Sequence, residues 1–142
     1  MFGLVVASHG HLAAELVATA EQIVGSLPHT ATCTVDPGAS PEEIRHRIVE
    51  AVKQVDDGAG VIVFADLIGG SPCTQSLSLC RQQRLEVLTG VNLPMLLKAN
   101  SLRNTARSLT DLAHALAEYG KRNITCASDA VRPVDQLISS AG

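Results

Sequence analysis

The stretch "VVASHGHLAAEL" (residues 5–16) joins a predicted strand to a predicted helix through a short corner. Its first residues are continuously apolar, which is typical of a strand buried on both faces. From Leu12 onward, apolar residues recur every three or four positions, which predicts a helix over residues 12–24. The corner Ser8-His9-Gly10 places His9 at the carboxyl end of the first strand, predicted over residues 3–7.

The same alternation continues along the chain. "GVIVFAD" (residues 60–66) predicts a second fully buried strand. Ser40-Pro41 and Ser71-Pro72 are helix starts, each predicted to have serine as the N-cap and proline at the first helical position. Further strands are predicted at 30–35, 85–89 and 123–127, and further helices at 41–55, 71–82 and 94–119, the last bent near Asn104 or Ser108. This order predicts a three-layer open α/β domain with four parallel strands in the order 2-1-3-4.

Composition restricts the possible functions. The chain has 142 residues, 11 Lys and Arg against 14 Asp and Glu, and a net charge of −3. A nucleic-acid-binding surface would be basic and clustered, so no nucleic-acid partner is expected. No signal peptide or apolar run of membrane-spanning length is found, and a cytoplasmic protein is expected. Phe2, Phe64 and Tyr119 are the only aromatic residues, too few to build a stacking platform for a sugar ring.

Chemistry-bearing residues follow the first and third strands. In open α/β sheets, ligands bind at the carboxyl ends of the strands where the strand order reverses, so His9 and Asp66 are predicted to lie side by side. A carboxylate that accepts a hydrogen bond from one ring nitrogen fixes the tautomer of a nucleophilic histidine. Two helix N-termini and the glycines Gly10, Gly69 and Gly70 are expected at the same place, which favours an anion. A histidine nucleophile beside anion-binding amides indicates transfer of a phosphoryl group.

Three ordered motifs resemble those of one family. "VVASHG" (5–10), "VFADLIGGSP" (63–72) and "LTGVNLPML" (88–96) are similar to the IIA components of mannose-family sugar phosphotransferase systems. The resemblance covers residues 1–127 as one domain, and leaves residues 128–142 as a tail. It implies that His9 accepts phosphate from the phosphocarrier HPr and passes it to a IIB component, with Asp66 orienting the ring. It also implies a homodimer that exchanges an antiparallel C-terminal strand, and membrane IIC and IID components reached only indirectly.

The remaining site residues are assigned from the same motifs, except His11, which lies outside them beside His9. Gly10, Gly70 and Ser71 are predicted to bind the phosphoryl group; the predicted rim consists of His11, Leu67, Ile68, Asn92 and Pro94. Many family members have an aromatic residue between the aspartate and the glycine pair, where this chain has Leu67-Ile68. This difference is expected to affect the affinity for partner proteins more than the chemistry. Neither a metal nor a cofactor is expected.

Two other functions stay open at this point. One is a regulatory sensor of phosphorylation state that carries a phosphorylatable His9. The other is a small hydrolase, in which the pair His9 and His11 forms a zinc site with Asp66 and Cys73. The HxH spacing at a helix start argues against the second alternative, because it directs the two rings apart.

Overall fold

The computed structural model describes residues 1–67 and 69–133 and shows an open α/β domain. Four parallel strands form one sheet in the order β2-β1-β3-β4, which confirms the predicted topology. The strands are β1 (Gly3–His9), β2 (Thr30–Val35), β3 (Val61–Ala65) and β4 (Leu85–Leu88).

Helices cover both faces of this sheet, which completes the predicted three layers. They are α1 (Leu12–Val24), α2 (Pro41–Val55), α3 (Ser71–Leu79), α4 (Leu93–Leu102) and α5 (Leu109–Arg122). Alternate residues of the central strands point to opposite faces. Leu4 and Phe64 pack with α1, α4 and α5 on one face, whereas Val5 and Val63 pack with α2 and α3 on the other.

The two central strands form the middle of the core. Residues 4–7 of β1 and all of β3 are fully buried, which explains their unbroken apolar sequences. Each fully buried valine, leucine, isoleucine or phenylalanine side chain contributes about 1.5–3 kcal/mol relative to exposure. The carboxyl ends of β1 and β3, where His9 and Asp66 lie, therefore extend from the fully buried centre of the domain.

The boundaries of α1 match the prediction, but its buried face matches only in part. The apolar spacing predicts that this face consists of Leu12, Leu16, Ala20, Ile23 and Val24. Leu12, Ile23 and Val24 are 46%, 58% and 40% exposed, whereas Ala20 is fully buried, as is Ala13 outside this set. Small side chains at these positions allow the helix to pack close to the sheet, so the larger apolar residues lie toward the margin of the contact.

Helix α3 begins differently from the prediction. Gly70 is its N-cap residue, and Ser71 is its first helical residue, with no capping bond from its side chain. The first helical hydrogen bond runs from the Thr74 N–H to the Gly70 carbonyl, 2.9 Å. The prediction of Ser71 as N-cap is therefore wrong, and the Ser71 hydroxyl is not used as a cap. The matching prediction for α2 is confirmed, because Ser40 accepts a hydrogen bond from the Glu43 N–H.

The long helix predicted at 94–119 is two helices. Helix α4 ends at Leu102, and α5 starts at Leu109 after a turn. Ser108 has an extended backbone, and its hydroxyl accepts a hydrogen bond from the Asp111 N–H at 3.0 Å. This cap starts a new helix, so the chain breaks where only a bend was predicted.

The strand predicted at 123–127 is not formed in the single chain. Helix α5 continues to Arg122, where Asn123 caps it through its backbone N–H, and a short 3₁₀ helix follows at Ala127–Val131. Residues 123–127 pair with no strand of the described sheet, so the predicted strand is absent from the chain alone. Exchange of a strand with a second copy stays a prediction, and residues 134–142 of the predicted tail lie outside the described residues.

None of the helices within residues 1–67 and 69–133 has the length and apolar character needed to cross a membrane.

Candidate active site

The fold brings His9 and Asp66 together as the sequence predicts. His9 is the last residue of β1, and Asp66 directly follows β3, the neighbouring strand. Parallel pairing of Ala7 with Ala65 aligns the two strand ends. The His9 ring nitrogen Nδ1 lies 2.7 Å from Asp66 Oδ2, and the His9 backbone N–H donates to the same oxygen at 2.9 Å.

The Asp66 carboxylate is buried and fully engaged. Its side chain is 8% exposed, and its second oxygen, Oδ1, accepts a hydrogen bond from the Leu67 N–H at 3.0 Å. Burial alone would raise the pKa of this carboxyl group. The hydrogen bonds from the His9 backbone and ring, the charge of His9 and the Leu67 N–H outweigh burial and lower the pKa of Asp66. Asp66 is therefore ionised at neutral pH.

The ionised carboxylate determines the tautomer of the His9 ring. A carboxylate offers only acceptors, so Nδ1 carries the ring proton and Nε2 keeps its lone pair. The His9 side chain is 50% exposed, and Nε2 has no hydrogen-bond partner among the described residues. The geometry therefore presents a nucleophilic nitrogen at the surface of the sheet edge.

Helix α3 starts beside this ring. A Cβ atom built on Gly70 would lie 3.0 Å from His9 Cε1, so the ring and the helix start are in close contact. Cε1 is bonded to Nε2, which places Nε2 next to the first turn of the helix. The Ser71 and Cys73 amides precede the first residue whose N–H enters the helical ladder, Thr74. Such amides, together with the positive end of the helix dipole, favour an anion bound on Nε2.

Helix α1 starts on the other side of the corner and is held by Ser8, to which the sequence motifs assigned no role. The Ser8 side chain is fully buried, and its hydroxyl accepts a hydrogen bond from the Ala13 N–H at 2.8 Å. His11 occupies the N-cap position but makes no capping bond. A serine just before a predicted helix is a signal for capping. Ser8 lies three residues before the N-cap His11, however, and capping rules assign the bond only to the N-cap residue itself.

Glycine permits the backbone of the corner itself. Gly10 has φ +56°, a left-handed conformation, and a Cβ there would meet no atom within 4 Å. Its role in the structure is to turn the chain from β1 into α1 at once. The predicted contact of Gly10 with a phosphoryl group stays a prediction.

The predicted rim residues differ in where the structure places them. His11 is exposed at the start of α1, and Leu67 is 51% exposed, with Cδ1 3.3 Å from the position of a Gly70 Cβ. Leu67 therefore lies near the His9 ring. Ile68 is outside the described residues.

Asn92 and Pro94 shape the loop after β4. Asn92 is the N-cap of α4: its Oδ1 accepts from the Met95 N–H at 3.1 Å, and its Nδ2 donates to the Gly120 carbonyl at 3.2 Å. Pro94 stands in the first turn of the same helix. Both polar groups of the Asn92 side chain bond to backbone atoms, so in the structure this side chain links α4 to α5. The loop touches the sheet edge through the Val91 N–H, which donates to the Ala65 carbonyl at 3.2 Å.

The zinc alternative lacks a ligand set in the structure. Within the two described ranges, no three His, Cys, Asp or Glu side chains come together as a metal-binding group. His11 is exposed at the N-cap of α1 and does not join His9 and Asp66, while Cys73 is buried. The HxH pair therefore forms no metal site with these residues.

Comparison with known proteins identifies the family of this chain. The family model of mannose-type IIA components, described as "PTS system fructose IIA component", matches residues 3–117. The chain belongs to this family. The match includes β1, β3 and the loop after β4, so this IIA domain has both His9 and Asp66 within the region that defines the family.

Curated relatives share about a quarter of the sequence. The PTS system mannose-specific EIIAB component of Escherichia coli K12 is 27% identical over 134 residues, which are 94% of this chain and 41% of the relative. The IIA chain thus spans less than half the length of that relative. The PTS system fructose-specific EIIA component of Bacillus subtilis is 24% identical over 135 residues, 94% of this chain and 92% of the relative.

Solved structures share the fold. The PTS IIA protein associated with the fucose utilization operon of Streptococcus pneumoniae has a TM-score of 0.78 and 29% identity, covering 92% of this chain and 96% of the other. The mannose/sorbose-specific IIA subunit of Enterococcus faecalis has a TM-score of 0.79 and 26% identity, covering 87% and 92%.

Proposed function

We propose that this IIA domain accepts a phosphoryl group on His9 Nε2 from phosphorylated HPr and passes it to a IIB component. The observation that carries the proposal is the 2.7 Å contact between His9 Nδ1 and Asp66 Oδ2, combined with an exposed Nε2. Family membership supports the same reaction class, because the family consists of phosphotransferase relay components.

The transfer needs positioning and charge stabilisation. The His9 Nε2 lone pair attacks the phosphorus of the donor phosphohistidine, a new N–P bond forms, and the donor N–P bond breaks. The electron pair of the broken bond returns to the donor ring nitrogen. The proton on His9 Nδ1 stays in place, and the Asp66 carboxylate stabilises the positive charge that develops on the ring. Transfer to the IIB component repeats these steps with His9 as the leaving group.

The start of α3 supplies the phosphoryl site in this proposal. The amides of Gly70 and Ser71, and the uncommitted Ser71 hydroxyl, would contact the phosphoryl oxygens, with Gly10 at the opposite corner. Neither metal nor cofactor enters the reaction. Leu67 and His11 would lie against the partner protein, and Asn92 and Pro94 would shape the rim.

The proposed assembly is a cytoplasmic homodimer. β4 pairs only with β3 within the described sheet, so its other edge is available to a strand from a second copy. Ile124 and Val131, in the segment after α5, are 77% and 85% exposed, as expected for residues that a partner would cover. Membrane IIC and IID components would be reached through IIB, and no nucleic-acid partner is proposed.

Intact mass tests the proposed relay. The chain is mixed with enzyme I, HPr and phosphoenolpyruvate, and we expect a gain of about 80 Da, one phosphoryl group, that is lost in acid. His9→Ala should show no gain, whereas His114→Ala, which changes an exposed histidine on α5, should gain the same mass. A wild-type chain that stays unmodified beside fully charged HPr would refute the proposal.

A regulatory role is the second candidate, and one comparison favours it. The transcriptional regulatory protein LevR of Bacillus subtilis is 34% identical over 92 residues, 64% of this chain and 9% of LevR. A regulatory domain would take up phosphate on His9 but hold it. Adding the IIB part of the Escherichia coli mannose-specific protein to the phosphorylated chain distinguishes the two: rapid loss of the added mass supports relay, and retention supports regulation.

A further inference from the structure

Two neighbours hold the His9 ring: Asp66 and the start of α3 at Gly70. Asp66 Oδ2 holds the Nδ1 edge and the His9 backbone together. The Cε1 edge faces Gly70, where a Cβ would lie 3.0 Å from Cε1 and 3.3 Å from Leu67 Cδ1. Carbon atoms at optimal separation are about 3.5–4.0 Å apart, so the ring occupies space that any side chain at position 70 would need.

Backbone conformation does not explain this glycine. Gly70 has φ −75° and ψ 163°, an extended conformation that alanine adopts without strain. Gly10 and Gly69 show the opposite case, because their φ values of +56° and +80° require glycine while a Cβ would meet nothing within 4 Å. Gly70 is therefore needed for space and not for backbone conformation.

We propose that Gly70 is a positioning residue for His9: its missing side chain lets the Cε1 edge of the imidazole rest against the start of α3. This contact fixes the direction of Nε2. The expected effect on phosphoryl transfer rests on the proposed function. A methyl group at position 70 would displace Cε1 by a few tenths of an ångström. The ring would then tilt away from Gly70, which weakens the Nδ1–H···Oδ2 hydrogen bond to Asp66, and Nε2, bonded to Cε1, would leave the line of phosphoryl transfer.

The variant Gly70→Ala tests the positioning role. We expect the rate of phosphoryl uptake at saturating phosphorylated HPr to fall about tenfold, since a misplacement of about 1 Å costs about a hundredfold. The KM for phosphorylated HPr should stay near the wild-type value, and the thermal midpoint should change little. The ¹⁵N shifts of the His9 ring should move from a pure Nδ1–H tautomer toward a mixture, which loss of stability alone would not produce.

Gly38→Ala is the control variant. Gly38 has φ +81° in the loop before α2, with open space at its Cβ position. This variant should lower stability more than Gly70→Ala but leave the His9 ¹⁵N shifts and the uptake rate unchanged. A Gly70→Ala chain with wild-type His9 shifts and a wild-type rate would overturn the inference.

A measurement on the wild-type chain keeps the inference testable if Gly70→Ala does not fold. A nuclear Overhauser contact between His9 Hε1 and the Gly70 α-protons is expected, and its absence would overturn the inference. Both the contact and the ring shifts are measured on the unphosphorylated chain. If the wild-type chain fails to take phosphate from HPr, the proposed function fails, while the ring measurements still decide whether Gly70 positions His9.

Discussion

A single oxygen of Asp66, Oδ2, accepts both the His9 ring Nδ1 at 2.7 Å and the His9 backbone N–H at 2.9 Å. The shared acceptor couples the ring orientation to the end of β1. The ring therefore cannot rotate about its side-chain bonds without losing a charge-assisted hydrogen bond. One carboxylate oxygen thus sets the position, the tautomer and the charge environment of the nucleophile.

Replacing Asp66 by asparagine removes the charge and keeps the size. The amide oxygen can still accept from Nδ1, but it does not stabilise a positive ring. Hydrogen bonds to charged groups contribute about 1.5–3 kcal/mol, so the rate of phosphoryl uptake should fall about 10- to 100-fold. A rapid-quench single turnover with phosphorylated HPr measures this rate. An Asp66→Asn chain as fast as the wild type would remove the carboxylate from the mechanism.

Asp66 also gives the fold a defined pH dependence. Its pKa is lowered in the folded protein, so its stabilising contribution is full above the unfolded value of about 3.9 and disappears as the pH falls through the lower folded value. The difference in unfolding free energy between the wild type and Asp66→Asn should shrink as the pH falls below about 4. Urea unfolding at several pH values measures it. A difference that grows below about pH 4 would contradict a lowered pKa for Asp66.

Ser8 should contribute to stability although it touches no ligand. Ser8→Ala leaves the buried Ala13 N–H without an acceptor, which costs about 1–3 kcal/mol. Ser78→Ala is the matched control, because that serine is exposed on α3 and bonds only to the Gln75 carbonyl. The control should change stability by less than about 0.5 kcal/mol. Equal urea midpoints for the two variants would show that Ser8 does not anchor α1.

The close packing of α1 predicts a contrast between two alanines of the same helix. Ala20 is fully buried, and Ala18 is exposed. Ala20→Leu should destabilise the domain by about 1–3 kcal/mol because the core has no room for the added atoms. Ala18→Leu should be nearly neutral, since leucine is a good helix former on an exposed surface. Thermal unfolding of both variants tests the contrast, which a neutral Ala20→Leu would contradict.

Sequence reasoning predicted the parts of the fold that depend on long patterns. The unbroken apolar strands β1 and β3 require cover on both faces, and the alternation of strands and helices then leads to a parallel sheet. Once the strand order is 2-1-3-4, the pairing of His9 with Asp66 follows from topology alone.

The errors arose where tertiary contacts override local signals. Ser71 and Ser108 both look like helix caps, but only Ser108 acts as one, because α3 begins one residue earlier than its serine predicts. The long apolar pattern from Pro94 did not reveal that a cap inside it starts a second helix. Topology predicts Gly70 at the same sheet edge as His9, but nothing in the sequence predicts that the His9 ring rests directly against this glycine, 61 positions along the chain.

The most direct test of the proposed relay is the atom to which the phosphoryl group binds. A chain with ¹⁵N-labelled histidine is phosphorylated by HPr, and long-range ¹H–¹⁵N and ³¹P spectra identify the nitrogen that carries phosphorus. We expect phosphorylation of His9 at Nε2, with Nδ1 still protonated and bonded to Asp66. Phosphorus on His9 Nδ1, or on any other residue, would contradict the proposed relay.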